Sequence, residues 1–247
     1  MLTATNLKKS FGGVAAVDHA SCTIEQGKIT ALIGPNGAGK TTFFNLLSGT
    51  IEPDAGSIIL LGEDLTTHNA EERARHGISR SFQLSRPFRN LTVAEHLLLA
   101  LDDEDDQFWK SLFNDGKRDQ VAMKRVHEVM KMVGLDVPAS HAGADLSYGQ
   151  GKLLGIAMAL IHPHRLMLLD EPVAGVNPVI REAISSILMK LREEGETIFV
   201  IEHDMGFIMP LADQVIVMDH GKILAQGTPE QIKRNPEVLH AYLGQQL

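Results

Sequence analysis

The chain has 247 residues, 44% of them hydrophobic and 22% charged, with a net charge of −8 and one cysteine. That length allows a large domain with a substantial core, and this balance of apolar and charged residues excludes wholesale disorder. The lone Cys22 excludes an internal disulfide, and the acidic excess argues against non-specific nucleic-acid binding, which needs Lys and Arg to neutralise phosphates. Cys22 is expected in the core of a protein kept in a reducing compartment. Met1 to Ser10 holds two lysines but no apolar stretch of the secretory kind. The longest apolar run, Leu153 to Ile161, is broken by Gly155 and is too short to cross a bilayer, so work at a membrane calls for a partner.

Strand-like runs alternate with turn signals through the first quarter: Leu2 to Leu7, Ala20 to Ile24, Ile29 to Ile33, and Ser57 to Leu61 behind the turn Glu52-Pro53-Asp54-Ala55-Gly56. One helix, Lys40 to Leu47, interrupts them. Arg73, Arg75, Arg80, Arg86 and Arg89 then gather in a short stretch that reads either as a docking surface for phosphates, lipid headgroups or an acidic partner, or as a solvated face. From Leu91 to Ile161 the spacing turns helical, with Val93, Leu97 and Ala100 on one face and Val121, Val126, Val129, Met130 and Val133 on another. The acidic run Asp102 to Asp106 between them reads as an exposed loop. Leu166 to Leu169 and Ile198 to Ile201 are near-continuous apolar strands flanking a helical stretch, Val179 to Arg192, the pattern of a buried parallel sheet. Gln214 to Met218, the turn Asp219-His220-Gly221-Lys222 and Ile223 to Gln226 predict a hairpin.

Between the strand ending at Ile33 and the helix from Lys40 stands Gly34-Pro35-Asn36-Gly37-Ala38-Gly39-Lys40-Thr41, a complete phosphate-binding loop. Its glycines let backbone N–H groups close around phosphate oxygens while the helix presents its positive end. Lys40 is expected to reach the β- and γ-phosphates of ATP and the Thr41 hydroxyl to reach Mg²⁺, with Thr42 completing the nucleotide contacts. The strand Leu166 to Leu169 ends in Asp170-Glu171. By itself this pair reads as a cap or turn; behind a phosphate loop it reads as Asp170 holding Mg²⁺ through water and Glu171 polarising the attacking water. A second anion site is expected at Leu146-Ser147-Tyr148-Gly149-Gln150, where Ser147 and the backbone of Gly149 precede the helix Gly151 to Ile161.

With these three motifs the chain resembles the ABC ATPases over nearly its whole length. Their signature is usually written Leu-Ser-Gly-Gly-Gln, and here Tyr148 occupies the position of the first glycine while Ser147, Gly149 and Gln150 match. The resemblance implies an α/β fold: a mixed β core with a parallel sheet, an antiparallel β subdomain and an inserted helical subdomain. It implies one ABC ATPase domain over 1–247, with a nucleotide-binding core and β subdomain in 1–90 plus 162–247, a helical signature subdomain in 91–161 and a C-terminal extension in 227–247. It further makes Phe11 the aromatic that stacks on adenine, although alone it reads equally as a core phenylalanine. Gln83, in Ser81-Phe82-Gln83, is implied to contact Mg²⁺ and water while linking the lobes. His203 is implied to sense the γ-phosphate; alone it reads as a structural histidine, or with Glu202 and Asp204 as a metal site. Asn177 falls where many family members carry aspartate in the loop that crosses the dimer.

Two such subunits, identical or different, are implied to sandwich two ATP molecules. Each site would combine the phosphate loop of one chain with Ser147 to Gln150 of the other. The family likeness also implies transmembrane permease subunits, a substrate-binding protein reached through the permease, and a peripheral position on the cytoplasmic face of the membrane. Residues 84 to 90 are expected to touch the permease. The phrases Asp170 to Pro178, Val200 to Met205, Gly227 to Ile232 and Asn235 to Gly244 resemble those of the ATPase subunits of branched-chain amino-acid importers. The tail is also similar to those of urea or short-amide importers and of the lipopolysaccharide-export ATPase. A soluble ABC protein of DNA repair or translation usually adds coiled coils or a second cassette, which this sequence lacks.

Overall fold

The computed structural model describes residues 1–81, 88, 90–101 and 116–243, with backbone alone for 116–119, 242 and 243. Gln83, Arg86, Arg89 and the acidic run 102–106 lie outside the described residues. Two sheets carry the fold. A four-stranded antiparallel sheet runs in the order β2-β1-β4-β5, built from β1 (Leu2–Phe11), β2 (Val14–Ile24), β4 (Ala55–Leu60) and β5 (Glu63–Asp64). A six-stranded sheet runs β10-β9-β3-β8-β7-β6, built from β3 (Ile29–Ile33), β6 (Ile78–Arg80), β7 (Leu166–Asp170), β8 (Ile198–Ile201), β9 (Gln214–Asp219) and β10 (Lys222–Gly227). All its pairings are parallel except the β9–β10 hairpin.

Strands β3, β7, β8 and β9 are apolar on both faces because both faces are covered, the rule for central parallel strands. Alternate residues serve different cores. Ile29, Ala31, Ile33, Met167, Leu169, Ile198, Val200, Val215 and Val217 face the cluster that includes the helices, and Leu32, Leu166, Leu168, Phe199, Ile201, Ile216 and Met218 face the antiparallel sheet. Helix α1 (Lys40–Leu47) fills the second core with Phe43, Phe44, Leu46 and Leu47, all fully buried. The phosphate loop is therefore anchored at one end by a buried strand and at the other by a buried helix.

The helical part comprises α3 (Val93–Leu101), α4 (Gly116–Met132) and α5 (Tyr148–Ile161). Val93, Leu97, Val126, Val129, Met130 and Val133 are buried as their spacing predicts, but Val121 is 71% exposed, so the apolar face of α4 begins later than the sequence pattern implies. Helix α5 starts three residues before the expected Gly151. Ser147 is its N-cap and Gln150 reaches back to the cap backbone, a capping box that captures the whole signature in the first turn.

Among the short elements that the sequence pattern does not predict are strand β6 and helix α2 (Ala70–Arg75), which follows β5 and is capped by Asn69. With them comes a correction to the arginine cluster. Arg73 is no docking residue; it is fully buried and donates to the carbonyls of Leu46, Leu47, Thr66 and His68. Leu46 and Leu47 end α1, so Arg73 supplies a donor to the Leu47 carbonyl and a second one to that of Leu46, which also accepts from Gly49 N at 3.3 Å, and burial pulls its pKa down to about 10. Arg80 also faces inward, donating to Asn45 Oδ1, Ser48 Oγ and Thr50 Oγ1 and lying 4.7 Å from the Phe44 ring centroid. Among the described arginines of the cluster, Arg75 alone behaves as a solvated cation, paired with Glu71 along the helix.

After β7 come α6 (Pro178–Glu193), α7 (Met205–Ile208), α8 (Pro229–Lys233) and α9 (Pro236–Leu243). Among the described residues no helix is long and apolar enough to cross a membrane.

Candidate nucleotide site

The phosphate loop leaves β3 at the carboxyl edge of the parallel sheet, where such sheets place their ligands. Two of its glycines are sterically required. A Cβ on Gly34 would stand 2.1 Å from the Met218 carbonyl oxygen, and one on Gly39, at φ +97°, would stand 2.2 Å from that of Ala16. Gly39 is also the N-cap of α1 and brings no side-chain cap, so the first-turn N–H groups are not claimed by one. Lys40 bends back over the loop, its Nζ donating to the carbonyls of Gly34 at 2.7 Å and Pro35 at 2.9 Å. Burial lowers its pKa and the charge of Glu171 pulls it back up, so ammonium and carboxylate act on each other across the site.

β7 and β8 end beside β3, with Asp170 in register with Ile201 and Ile201 with Leu32. Asp170, Glu171 and His203 thus reach the same edge as the phosphate loop, as the sequence predicts. Asp170 is 7% exposed and its backbone N–H donates to Ser81 Oγ at 3.3 Å. Burial raises its pKa, opposed by Arg80, whose Nη2 lies 3.9 Å from Oδ2. His203 Nδ1 lies 3.4 Å from Glu171 Oε1, which ties the histidine to the glutamate rather than to a metal. Among the described residues no group of His, Cys, Asp and Glu has the arrangement of a metal centre. Glu171 adopts φ +47°, a left-handed conformation that costs a residue with a side chain about 1–2 kcal/mol. Such strain persists where neighbours hold it, and it aims the carboxylate off the strand end. The Thr41 hydroxyl and the Asp170 carboxylate are hard oxygen donors of the type Mg²⁺ takes, so the chemistry present fits that ion.

Phe11 is 51% exposed at the tip of the β1–β2 hairpin, which overturns its reading as a core residue. The hairpin abuts the loop through Ala16, and the Phe11 ring has the Lys9 ammonium 5.9 Å from its centroid. Pro35, Asn36, Gly37, Ala38, Thr41 and Thr42 complete the stretch from Gly34 to the first turn of α1.

Ser147 to Gln150 packs elsewhere, against the loop that follows Glu171. A Cβ on Gly149 would stand 2.7 Å from Ile180 Cγ1, and the Tyr148 hydroxyl donates to the Ala174 carbonyl at 3.0 Å. Asn177 caps α6, its Oδ1 accepting from Ile180 N at 3.0 Å. Three residues near the site have roles that the motifs do not assign. Arg80 balances Asp170; Lys152 donates from α5 to the Glu171 carbonyl at 2.8 Å; and Glu202, fully buried, accepts from the N–H groups of Val173 and His203. Burial raises the pKa of Glu202 and lowers that of Lys152, which Glu202, Glu171 and Asp170 pull back up. The signal for Glu202 in the sequence is a charge immediately behind a buried strand.

A parallel sheet with a phosphate loop between buried strand and helix, faced by a strand-end carboxylate pair, defines a phosphate-loop nucleoside triphosphatase. Residues 17–174 match the model of the ABC transporter family, and residues 222–246 match that described as branched-chain amino acid ATP-binding cassette transporter. The chain is similar to a high-affinity branched-chain amino acid transport ATP-binding protein, BraF, of Pseudomonas aeruginosa, at 38% identity over 99% of this chain and 98% of that one. The corresponding protein of Escherichia coli K12, LivG, is 37% identical over 99% and 98%. The crystal structure of a nucleotide-free ATP-binding cassette from an ABC transporter superposes with a TM-score of 0.86 at 30% identity, covering 98% of each chain. The chain belongs to the ABC transporter family, as an ATP-binding cassette with ATPase activity.

Proposed function

We propose that this cassette powers the import of branched-chain amino acids, as one of two ATPase subunits seated on the cytoplasmic face of a membrane permease that a substrate-binding protein supplies. The cargo rests on residues 222–246, matched by the branched-chain model, and on relatives named for that transport along their whole length. The hydrolytic role rests on Glu171, held beside the phosphate loop with His203 at 3.4 Å.

In this reading the N–H groups of residues 37 to 41 and the Lys40 ammonium bind the β- and γ-phosphates, Lys40 exchanging its carbonyl partners for phosphate oxygens. Phe11 stacks on the adenine. Thr41, and Asp170 through water, would hold Mg²⁺ with Gln83 as a further ligand; when bound, the ion would offset charge on the phosphate oxygens. Glu171 accepts a proton from the attacking water, and His203 orients Glu171 and meets the γ-phosphate. Ser147, Tyr148, Gly149 and Gln150 serve the partner's nucleotide. Support for that composite site comes from their placement: they cap a helix that packs on the loop 174–180 rather than on the chain's own phosphate loop. The lobes are then 1–90 plus 162–247 for nucleotide binding and 91–161 for the signature.

Glu171→Gln keeps the shape of the side chain and removes its basicity. Steady-state hydrolysis should fall about 100-fold or more while ATP binding persists and ATP-bound dimers accumulate. Unchanged turnover would sink the assignment. For the cargo, vesicles holding the chain with its co-purified permease should take up leucine on ATP addition; uptake of urea with none of leucine overturns the amino-acid reading.

A further inference from the structure

The five residues that follow β7 are held by side chains from two other parts of the chain. From α5, Lys152 Nζ donates to the Glu171 carbonyl at 2.8 Å and lies 5.8 Å from the centroid of the Tyr148 ring. The Tyr148 hydroxyl donates to the Ala174 carbonyl at 3.0 Å, and its ring so closely lines Gly175 that a Cβ there would stand 3.3 Å from Cε1. From behind β8, the buried Glu202 carboxylate accepts from Val173 N at 3.1 Å and from His203 N at 3.2 Å. Glu171, Val173, Ala174 and Gly175 are each in contact with one of these three side chains.

We infer that Lys152 and Tyr148 are positioning residues for hydrolysis, tying the loop Glu171–Gly175 to the signature helix of the same chain so that the catalytic carboxylate and Ser147 to Gln150 move as one body. The inference rests on the reading of Glu171 as the base. Glu171 sits at φ +47°, where its own steric preferences favour other conformations. The direction of its carbonyl follows its ψ, so an ammonium fixed on that oxygen selects one backbone setting and with it the aim of the carboxylate. A charge-assisted hydrogen bond from a partly buried donor, with an aromatic face on its flank, resists displacement by water. Where the family signature has glycine, Tyr148 adds a hydroxyl and a ring that bind the far end of the same loop. A nucleotide of the partner that engages Ser147 would thereby be felt at Glu171 through two side chains, with no change in the sheet. Glu202 holds the opposite side of the loop and the backbone of His203, so the two groups that face the γ-phosphate share one rigid frame.

The experiment is steady-state ATP hydrolysis by the full chain carrying Lys152→Met, Lys152→Arg or Tyr148→Phe, alone and with Glu171→Gln, with melting temperatures in parallel. Lys152→Met should lower kcat about tenfold with KM for ATP within about twofold, because the interaction lost acts on chemistry and not on binding. Lys152→Arg keeps a donor in reach and should restore kcat to within about threefold of the parent, and Tyr148→Phe should cost about threefold. In the Glu171→Gln background Lys152→Met should add no further loss, since a positioning residue has nothing left to position. An unchanged kcat in Lys152→Met, a loss confined to KM, or a full additive loss on Glu171→Gln overturns the inference. Should Lys152→Met fail to fold, Tyr148→Phe carries the test, its unchanged kcat being the negative result. Failure of the base reading shows itself separately, as turnover retained in Glu171→Gln alone.

Discussion

The phosphate loop and the loop Glu171 to Asn177 stand at the same sheet edge but are held in shape in opposite ways. Gly34 and Gly39 fit because backbone carbonyls of Met218 and Ala16 leave no room for a side chain, and Lys40 closes on carbonyls of its own loop. The second loop depends on side chains that arrive from elsewhere: Lys152 and Tyr148 from α5, Glu202 from the end of β8, and its own Asn177 at the start of α6. A motif fitted by backbone against the strands of the sheet is as rigid as those strands. A loop held by remote side chains follows the elements that hold it, which suits a part that must respond to a partner.

That contrast is sharpest where a loop residue can be removed without loss of fold. Lys40→Met should lower kcat/KM for ATP about 100-fold or more, since a charge aimed at the phosphates is lost, yet leave the melting temperature nearly unchanged. A large drop in melting temperature would mean that Lys40 also holds its loop together.

The reverse case, stability without catalysis, lies at the other end of α1. Arg73→Met takes the side-chain donor from the carbonyls of Leu47, Thr66 and His68 in a buried place and leaves that of Leu46 with Gly49 N alone. A loss of about 3–5 kcal/mol is expected, read as a fall in melting temperature on the order of 10 °C. Arg75→Met, two residues away on the exposed face and paired only with Glu71, should change stability by less than about 0.5 kcal/mol. Equal effects of the two would refute a buried, structural role for Arg73.

How much of this was legible in the sequence follows the same division. The strand Ile29–Ile33, the loop, the helix Lys40–Leu47 and the strand Ile198–Ile201 appear at the expected residues because each is specified locally, by apolar runs, glycines and caps. Asp170, Glu171 and His203 were legible because parallel strands deliver their carboxyl ends to one edge. Arg73 was misread because charge in a row of arginines looks solvated, and only three-dimensional packing reveals four carbonyls waiting for a donor. β6 was missed because three residues give too short a period, and it is a strand only by pairing with β7. Lys152 carries no pattern, and Glu202 shows only as a charge behind a buried strand; both acquire their roles from backbone atoms 19 and 29 residues away.

The smallest effect tests whether the second loop has any local support of its own. Asn177 caps α6 at φ −72° and ψ 164°, its side chain accepting from Ile180 N. Asparagine and aspartate are equivalent caps, and the added charge of aspartate at a helix N-terminus is favourable by a few tenths of a kcal/mol. Asn177→Asp, which restores the residue usual in the family, should therefore leave the melting temperature within about 2 °C of the parent. Asn177→Ala removes the acceptor and should cost about 1 kcal/mol, a fall of roughly 3 °C. Because Pro178 already sets the first helical turn, the cap is not the only determinant of the helix start, and the loss should stay near that value. An alanine variant as stable as the parent would show that the loop is held wholly from α5 and β8, and the contrast between the two loops would then be complete rather than partial.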